Sequence, residues 1–382
     1  MENPKIRFKG FTKDWEQRKF SELYARSSEK NDGSIGMDKN ITVATMQFKN
    51  DVKVSTTEYL KTYYTFKLGD IAFEGHQSKE FRYGRFVEND IGNGIVSHIF
   101  AVFRPIQEYD LYFWKYAINN ETLMQRILAR STKASTMMHD LVTNDFLNET
   151  FLVPSVKEQK QIGAFLNKLD NLITLHQRKC EDTKKLKKYM LQKMFPQNGS
   201  KVPEIRFKGF TDDWEQRKLG EIITEYKETV DSDCTLPILT SSKTEGVILQ
   251  EEHFGRKQQH DITGYNILPR NYCTYRNRSD GVDFTFNINK CCDKGIISKF
   301  YPVFSGNNSN VFFLSLVLNN SEEVVHEIAY TCTGTGQKVL SFLDLQKMKV
   351  RVPGFDEQKK IAAYFDDLDH LITLHQREYS TW

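Results

Sequence analysis

The sequence lacks the features of a membrane or secreted protein. None of its apolar runs reaches the roughly 18 residues of a membrane-spanning helix, and no apolar segment follows the first charged residues. The six cysteines include no Cys-x-x-Cys pair, and the adjacent Cys291 and Cys292 lack the spacing of metal ligands. We therefore expect reduced, structural thiols in a cytoplasmic protein that does not span a membrane.

Enzyme motifs and a strong excess of one charge are also missing. The chain has no G-x-x-x-x-G-K-[ST] phosphate loop, no G-x-G-x-x-G after a strand and no Asn-Pro-Pro-aromatic motif of adenine methylation. The segment Gly334-Thr-Gly-Gln-Lys338 is only superficially similar to a phosphate loop. These absences favour a chain without catalysis of its own. The net charge of +3 neither requires nor excludes nucleic acid, because a nearly neutral total can hide basic faces.

The most informative feature that is present is an internal repeat. Residues 4–19 return as residues 203–218 with only two positions changed. Residues 153–178 and 352–377 form a second pair, which shares Val-Pro, Glu-Gln-Lys and Leu-Ile-Thr-Leu-His-Gln-Arg. Repeats of this kind organise a whole fold. The segments between them have diverged, and their short β-branched and aromatic runs between Gly and Asn turns predict a mixed α/β (α+β) fold that both halves share.

The repeat at residues 153–178 and its copy at residues 352–377 each predict a long helix. Over residues 157–195, apolar positions recur at i, i+3, i+4 and i+7, which at about 1.5 Å per residue gives a rod of roughly 58 Å. Glu158 would place a negative charge in the first turn, where the helix dipole favours it. The copy over residues 356–379 begins in the same way and is shorter. We expect the two helices to pair antiparallel.

These motifs together resemble those of the DNA-specificity subunit of bacterial type I restriction–modification systems. The resemblance rests on Pro-x-Ile-Arg-Phe-Lys-Gly-Phe-Thr-x-x-Trp-Glu-Gln-Arg-Lys at both starts and on Val-Pro-x-x-x-Glu-Gln-Lys-x-Ile-x-x-Phe/Tyr at both helices, from Val153 and from Val352 onward. Leu-Lys-Lys-Tyr-Met-Leu-Gln-Lys-Met-Phe at residues 186–195 adds to it. The resemblance covers the whole chain.

The resemblance implies two target-recognition domains that alternate with two long helices, which pair as an antiparallel coiled coil with an internal pseudo-twofold repeat. The implied parts are a first target-recognition domain at residues 1–152, a first helical spacer at 153–200, a second target-recognition domain at 201–351 and a second, short helical spacer at 352–382. Each domain would read one half of a split, asymmetric DNA sequence. The helices would set the distance between the half-sites and dock two modification subunits.

The resemblance also implies that the chemistry lies in partner subunits. Modification subunits would methylate adenine with S-adenosylmethionine, and restriction subunits would form a translocating nuclease that uses ATP and Mg²⁺. No cofactor or metal is expected in this chain, whose ligand would be double-stranded DNA. The alternative is a helical scaffold protein whose two heads bind protein partners. Salt would distinguish the two, because DNA binding weakens steeply with added salt.

Candidate DNA-contacting residues fall in two stretches of each domain, where polar and basic side chains combine with aromatic or small residues. The earlier stretch contains His76, Gln77, Ser78, Lys79, Arg82, Tyr83 and Arg85 in the first domain, and Tyr275, Arg276, Asn277 and Arg278 in the second domain. The later stretch, just before each long helix, contains Lys133, Ser135 and Thr136 in the first domain, and Thr333, Thr335, Gln337 and Lys338 in the second domain. A solvated hairpin or an ordinary turn is the alternative at each place.

Two histidines lie on the apolar stripes of the predicted helices. We interpret His176 and His375 as polar residues that set the register of the helix pair, as single buried polar residues do in coiled coils. A metal site is the less favoured interpretation, because one histidine per helix lacks further ligands.

Overall fold

The structure is a computed structural model that describes residues 4–49, 56–135, 138–197, 199–256, 261–281, 284–332 and 337–380. Its contacts group the chain into two units, Met1–Thr174 and Leu175–Trp382. Within the described residues, none of the helices combines the length and the apolar character needed to cross a membrane. The four-part division expected from the sequence stays a prediction.

The first unit combines short helices with antiparallel strands. Its helices are α1 (Phe20–Leu23), α2 (Thr57–Leu60), α3 (Leu111–Ile118), α4 (Glu121–Ser131), α5 (Thr143–Asn148) and the first part of α6 (Val156–Lys193), with a 3-10 turn at Met37–Lys39. Its strands are β1 (Glu16–Lys19), β2 (Tyr24–Ser27), β3 (Ile41–Thr42), β4 (Gln47–Phe48), β5 (Tyr64–Phe66), β6 (Ile71–Glu74), β7 (Arg85–Glu88), β8 (Gly94–Val96), β9 (Ala101–Pro105), β10 (Thr132–Ala134), β11 (His139–Leu141) and β12 (Thr150–Val153).

A four-stranded antiparallel sheet in the order β2-β9-β6-β7 forms the centre of this unit. Phe86, Phe103 and Phe146 are fully buried on it, and the Phe86 and Phe146 rings lie 4.4 Å apart. Asp110 caps helix α3 from the position before it, because its carboxylate accepts the Phe113 N–H at 2.8 Å. The sheet and the helices therefore share one aromatic core.

The second unit has a similar order of elements. Besides the remainder of α6, its helices are α7 (Leu219–Ile222), α8 (Gln250–Phe254), α9 (Val311–Asn320), α10 (Glu322–Thr331), α11 (Phe342–Lys347) and α12 (Phe355–Ser380). Its strands are β13 (Glu215–Lys218), β14 (Ile223–Glu225), β15 (Leu239–Ser242), β16 (Gly246–Leu249), β17 (Asn266–Pro269), β18 (Cys273–Thr274), β19 (Arg278–Ser279), β20 (Asn287–Ile288), β21 (Lys294–Ile297), β22 (Val303–Gly306), β23 (Lys338–Val339) and β24 (Lys349–Val352).

The two units share one mixed fold, as the sequence predicted. The sheet order β14-β22-β18-β20 corresponds to that of the first unit, and β13 pairs with β24 as β1 pairs with β12. A buried asparagine holds the same turn in each unit. The Asn89 side chain donates to the carbonyls of Phe66 and Gly92, and the Asn289 side chain donates to those of Leu268 and Cys292.

The two long helices run antiparallel where they meet in the second unit. Along the pairing, residue numbers rise in α6 while they fall in α12. The Nδ1 atoms of His176 and His375 lie 3.2 Å apart, and Lys187 forms an ion pair with Asp369. Just after the end of α6, the Phe195 ring lies 6.1 Å from the Phe365 ring. The predicted antiparallel pairing is confirmed for this part of α6.

In each unit, a buried ion pair joins the repeat at residues 4–19 or 203–218 to the first turn of a long helix. Arg7 donates through Nε and Nη2 to the Glu158 carboxylate at 2.9 and 2.8 Å, and Arg206 donates to Glu357 at 2.7 and 2.8 Å. The Glu158 and Glu357 side chains are only 3% and 2% exposed. A helix-dipole role alone thus does not describe Glu158, because its main partner is an arginine 151 positions earlier.

The matching tryptophans differ in what covers them. Trp214 is 2% exposed, since the Phe195 ring packs against it at 6.0 Å and the Phe313 ring at 5.7 Å. Trp15 packs on Phe113 at 6.1 Å and is half-buried.

Candidate nucleic-acid interface

In the first unit, the two predicted stretches form one surface. The loop between β6 and β7 lies against the β10–β11 hairpin. There the His139 N–H donates to the Gly75 carbonyl at 2.8 Å, and the backbones of His76 and Met138 form an isolated antiparallel β-bridge. A Cβ atom on Gly75 would lie 2.2 Å from the His139 carbonyl oxygen, so glycine is needed for this approach. We call this surface the first loop surface.

The polar side chains of the first loop surface are mostly exposed. The exposed predicted residues are His76, Gln77, Ser78, Lys79, Arg82, Lys133 and Ser135. Two hydroxyl groups serve the local turns: Ser78 Oγ accepts the N–H groups of Glu80 and Phe81, and Ser135 Oγ donates to the Met138 carbonyl. Gln77 hydrogen-bonds His139. Arg82, the loop's exposed arginine, lies 5.6 Å from the Tyr83 ring centre.

Tyr83 and Arg85 have mainly structural contacts. Tyr83 is half-buried, and its ring packs edge-on against His139 at 5.4 Å. Arg85 forms an ion pair with Glu74 at 2.9 Å, donates to the Ala44 carbonyl at 2.7 Å and lies 5.0 Å from the Phe81 ring. A DNA contact by Arg85 would have to replace these interactions.

The second unit brings its two predicted stretches together in a similar way. Strand β19 pairs with β23, so that Arg278 faces Val339 and Ser279 faces Lys338. The Leu340 N–H also donates to the Asn277 carbonyl at 3.0 Å. We call this region the second loop surface. The predicted residues Thr136, Thr333 and Thr335 lie outside the described residues.

A polar cleft opens on the second loop surface. Arg276 and Arg278 line it and are exposed, and the Arg278 guanidinium lies 4.6 Å from the Phe300 ring centre. Ser241 and Lys243, which the sequence analysis missed, line the same cleft. The Asn287 side chain holds the end of β15 in place by donating to Ser241 Oγ and to the Ser242 carbonyl, both at 2.8 Å. Ser241 and Lys243 had no sequence signal, because the fold alone brings the β15 end to this loop.

The structure corrects the prediction for Tyr275. Its side chain is fully buried, its hydroxyl donates to the Leu340 carbonyl at 3.1 Å, and burial raises its pKa well above the usual value. DNA cannot reach this ring unless the core opens. Asn277 is half-buried and also serves the framework, since its N–H donates to the Phe300 carbonyl at 2.9 Å. Gln337 is exposed and Lys338 is half-buried.

The two predicted register histidines are in contact. His176 on α6 and His375 on α12 face each other, and the Glu378 carboxylate lies 2.6 Å from His176 Nδ1. The structure thus brings the pair together, while its role in setting the register stays a prediction.

The sequence matches the family described as the type I restriction modification DNA specificity domain over residues 12–184 and 211–381. A Methanocaldococcus jannaschii protein described as a type I restriction enzyme MjaX specificity subunit is 24% identical, over 96% of this chain and 89% of that protein. The MjaVIII specificity subunit of the same organism is 24% identical, over 70% of this chain and 65% of that protein.

A solved structure shows the same fold. The S subunit of a type I restriction–modification system from M. genitalium matches with a TM-score of 0.56 at 15% identity, covering 98% of this chain and 94% of that one. The chain belongs to the type I restriction modification DNA specificity domain family. Its role is sequence-specific DNA recognition within a restriction–modification complex, and the catalytic activities lie in partner subunits.

Proposed function

We propose that each unit reads one half of a bipartite, asymmetric DNA sequence through its loop surface. The observation that carries this is the convergence, in both units, of two separate polar stretches into one exposed surface. Arginine and lysine can pair with guanine or phosphate, and glutamine can pair with adenine. Exposed groups of this kind, such as Lys79, Arg82 and Arg276, are present on both surfaces.

The two half-sites should differ because the two surfaces differ. The first presents His76, Gln77, Lys79 and Arg82, whereas the second presents two arginines beside an aromatic ring. Base discrimination depends on which donors and acceptors enter the groove. A shared fold with unlike loops therefore favours one complex that reads two unlike sequences.

The helices are proposed to set the spacer and dock two modification subunits. The repeated Leu-Ile-Thr-Leu-His-Gln-Arg motif exposes two leucines in each copy: Leu172 and Leu175 are 39% and 45% exposed, and Leu371 and Leu374 are 42% and 41% exposed. Exposed apolar side chains in a row are typical of docking surfaces. The same surface presented twice would suit two copies of one partner.

The chemistry of the complex follows from this assignment. Modification subunits would supply S-adenosylmethionine-dependent adenine methylation, and restriction subunits would supply ATP- and Mg²⁺-dependent translocation and cleavage. This chain would need no cofactor for its part. A cytoplasmic location is proposed with it, because the DNA target is there and all six cysteines are free thiols.

The experiment is co-expression of the chain with its modification subunit in a host without adenine methylation, followed by sequencing for methylated adenines. We expect a split motif with two unlike halves and a fixed spacer. Arg276→Ala should relax the preference at one half-site only, by roughly ten- to hundredfold, since a good bidentate contact is worth about 1–3 kcal/mol of discrimination. Arg82→Ala should affect the other half.

Arg217→Ala is the matched control, because Arg217 lies on β13 of the second unit, pairs with Glu221 and is not one of the residues that line the cleft. It should leave the methylated motif unchanged. If Arg276→Ala reduces methylation equally for every sequence at that half, Arg276 contacts phosphate and not bases. If the complex assembles and no specific motif is methylated, the scaffold alternative is favoured.

A further inference from the structure

Three metal-binding side chains meet where α6 and α12 pair. His176 Nδ1 and His375 Nδ1 lie 3.2 Å apart, and Glu378 Oε2 lies 2.6 Å from the first and 3.4 Å from the second. All three ligand atoms lie within 4.8 Å of one another. The side chains are 23%, 15% and 40% exposed, so an ion and a water molecule can reach them.

We propose that His176, His375 and Glu378 form a binding site for a divalent transition-metal ion of the Zn²⁺ class. In a tetrahedral zinc site with bonds of about 2.0–2.1 Å, neighbouring ligand atoms lie roughly 3.3 Å apart. Two of the three separations, 3.2 and 3.4 Å, already match this spacing. The third requires a shift of less than about 1 Å, which rotation of the flexible Glu378 side chain can provide.

The spacing along the chain also suits a chelate. His375 and Glu378 are three residues apart on α12, so both side chains lie on the same helix face. His176 completes the site from α6. Two imidazoles and one carboxylate leave a fourth position open for water, and this ligand set suits Zn²⁺, whereas Mg²⁺ prefers oxygen ligands in an octahedron.

The internal repeat diverges at this point. The motif Leu-His-Gln-Arg is followed by Lys179 in the first copy and by Glu378 in the second. A protonated lysine cannot bind a metal, so the repeat supplies two histidines and a single carboxylate. Two lysines at these places would leave only the histidine pair, and two glutamates would add a fourth protein ligand.

Bound metal would link α6 to α12, because both helices supply ligands. A ligand that binds only the folded state raises the unfolding temperature. Without metal, the same residues would form a hydrogen bond between the two imidazoles with the carboxylate beside it. A cluster held only by these hydrogen bonds would show no saturable Zn²⁺ binding, which makes the two arrangements distinguishable.

The test uses the full chain after treatment with EDTA, titrated with Zn²⁺ and separately with Mg²⁺ by isothermal calorimetry. We expect one Zn²⁺ per chain at micromolar or tighter affinity and no Mg²⁺ binding. His176→Gln and Glu378→Lys should each weaken Zn²⁺ binding at least tenfold, the second by restoring the residue of the first copy. Co²⁺ substitution should give the visible absorption of a tetrahedral site.

His253→Gln is the matched control, because His253 also faces a carboxylate, Glu245, at 3.3 Å on the surface. It should bind Zn²⁺ as the wild type does. Circular dichroism in EDTA checks that each variant is folded, and Glu378→Lys remains informative if His176→Gln does not fold. The proposal is overturned if the wild type binds no Zn²⁺ at micromolar concentration, or if both variants bind it unchanged. DNA recognition does not enter this test.

Discussion

Replacing Arg206 by alanine removes one partner of the buried ion pair that ties the repeated segment at residues 203–218 to α12. The guanidinium donates two hydrogen bonds to Glu357 and a third to the Asp212 carbonyl at 2.6 Å. The hydrogen bond to Glu357 raises the pKa of Arg206 above its already high ordinary value, so the guanidinium stays protonated at physiological pH. Alanine would leave the Glu357 carboxylate, 2% exposed, without its cation.

The expected cost follows from that burial. Removing one partner of a buried pair destabilises a protein by about 3–5 kcal/mol, because the remaining charge is neither solvated nor neutralised. With a urea dependence of about 2 kcal/mol per molar, unfolding of the second unit should shift by roughly 2 M. Arg206→Lys should cost less, since it keeps the charge and loses the two-point geometry.

The assay is urea unfolding of the full chain, with hydrogen exchange to assign the change to one unit. Peptides from Leu175 onwards should lose protection in Arg206→Ala, and peptides of the first unit should not. The double variant Arg206→Met/Glu357→Leu should recover most of the stability, because apolar replacements of both partners are often neutral. Arg7→Ala should weaken the first unit in the same direction.

Arg217→Ala is the control for an exposed pair. Arg217 and Glu221 are 42% and 52% exposed, and such pairs contribute less than about 1 kcal/mol. If Arg206→Ala costs no more than Arg217→Ala, burial of the carboxylate does not control the stability of this contact. A double variant as unstable as the single one would likewise show that the unpaired carboxylate does not cause the loss of stability.

Two further predictions concern the two cores. Phe195→Ala should destabilise the second unit by about 3–5 kcal/mol in urea unfolding, since it opens a cavity beside Trp214. The control is Tyr189→Ala, which removes an exposed side chain, and a similar loss of stability in both variants would contradict this prediction. Burial, and then Asp90 and Asp110, raise the pKa of Glu88 well above its ordinary value of 4.5. The folded state therefore keeps a proton that the unfolded state loses above about pH 4.5, so wild-type stability should fall as pH rises from there to the raised pKa. Glu88→Gln should remove this slope, and an unchanged slope would show that Glu88 is not its source.

Much of the fold could be predicted from local sequence patterns. The helix predicted over residues 157–195 is observed as Val156–Lys193, because its apolar periodicity and the proline that follows act within a few residues. The near-identical repeats predicted two units of one mixed fold. Sequence patterns also placed candidate loop residues on exposed surfaces in both units, including Arg82 and Arg276.

The same patterns could not tell which side of a strand or loop a residue faces. Tyr275 adjoins Arg276, yet it is fully buried while its neighbour is exposed. Arg85 has the composition of a DNA contact and is instead held by Glu74. Composition describes what a side chain can do, and the packing around it decides what it contacts.

The sequence by itself determined the repeat, the helices and the family, since these depend on the order of residues and on short-range periodicity. Only the tertiary structure joined Arg7 to Glu158, His76 to Met138 and His176 to His375. The two histidines are 199 positions apart, and Glu378 reaches them only in the register that the helices adopt. That register is a property of how whole helices pack, so no local stretch of the chain encodes it.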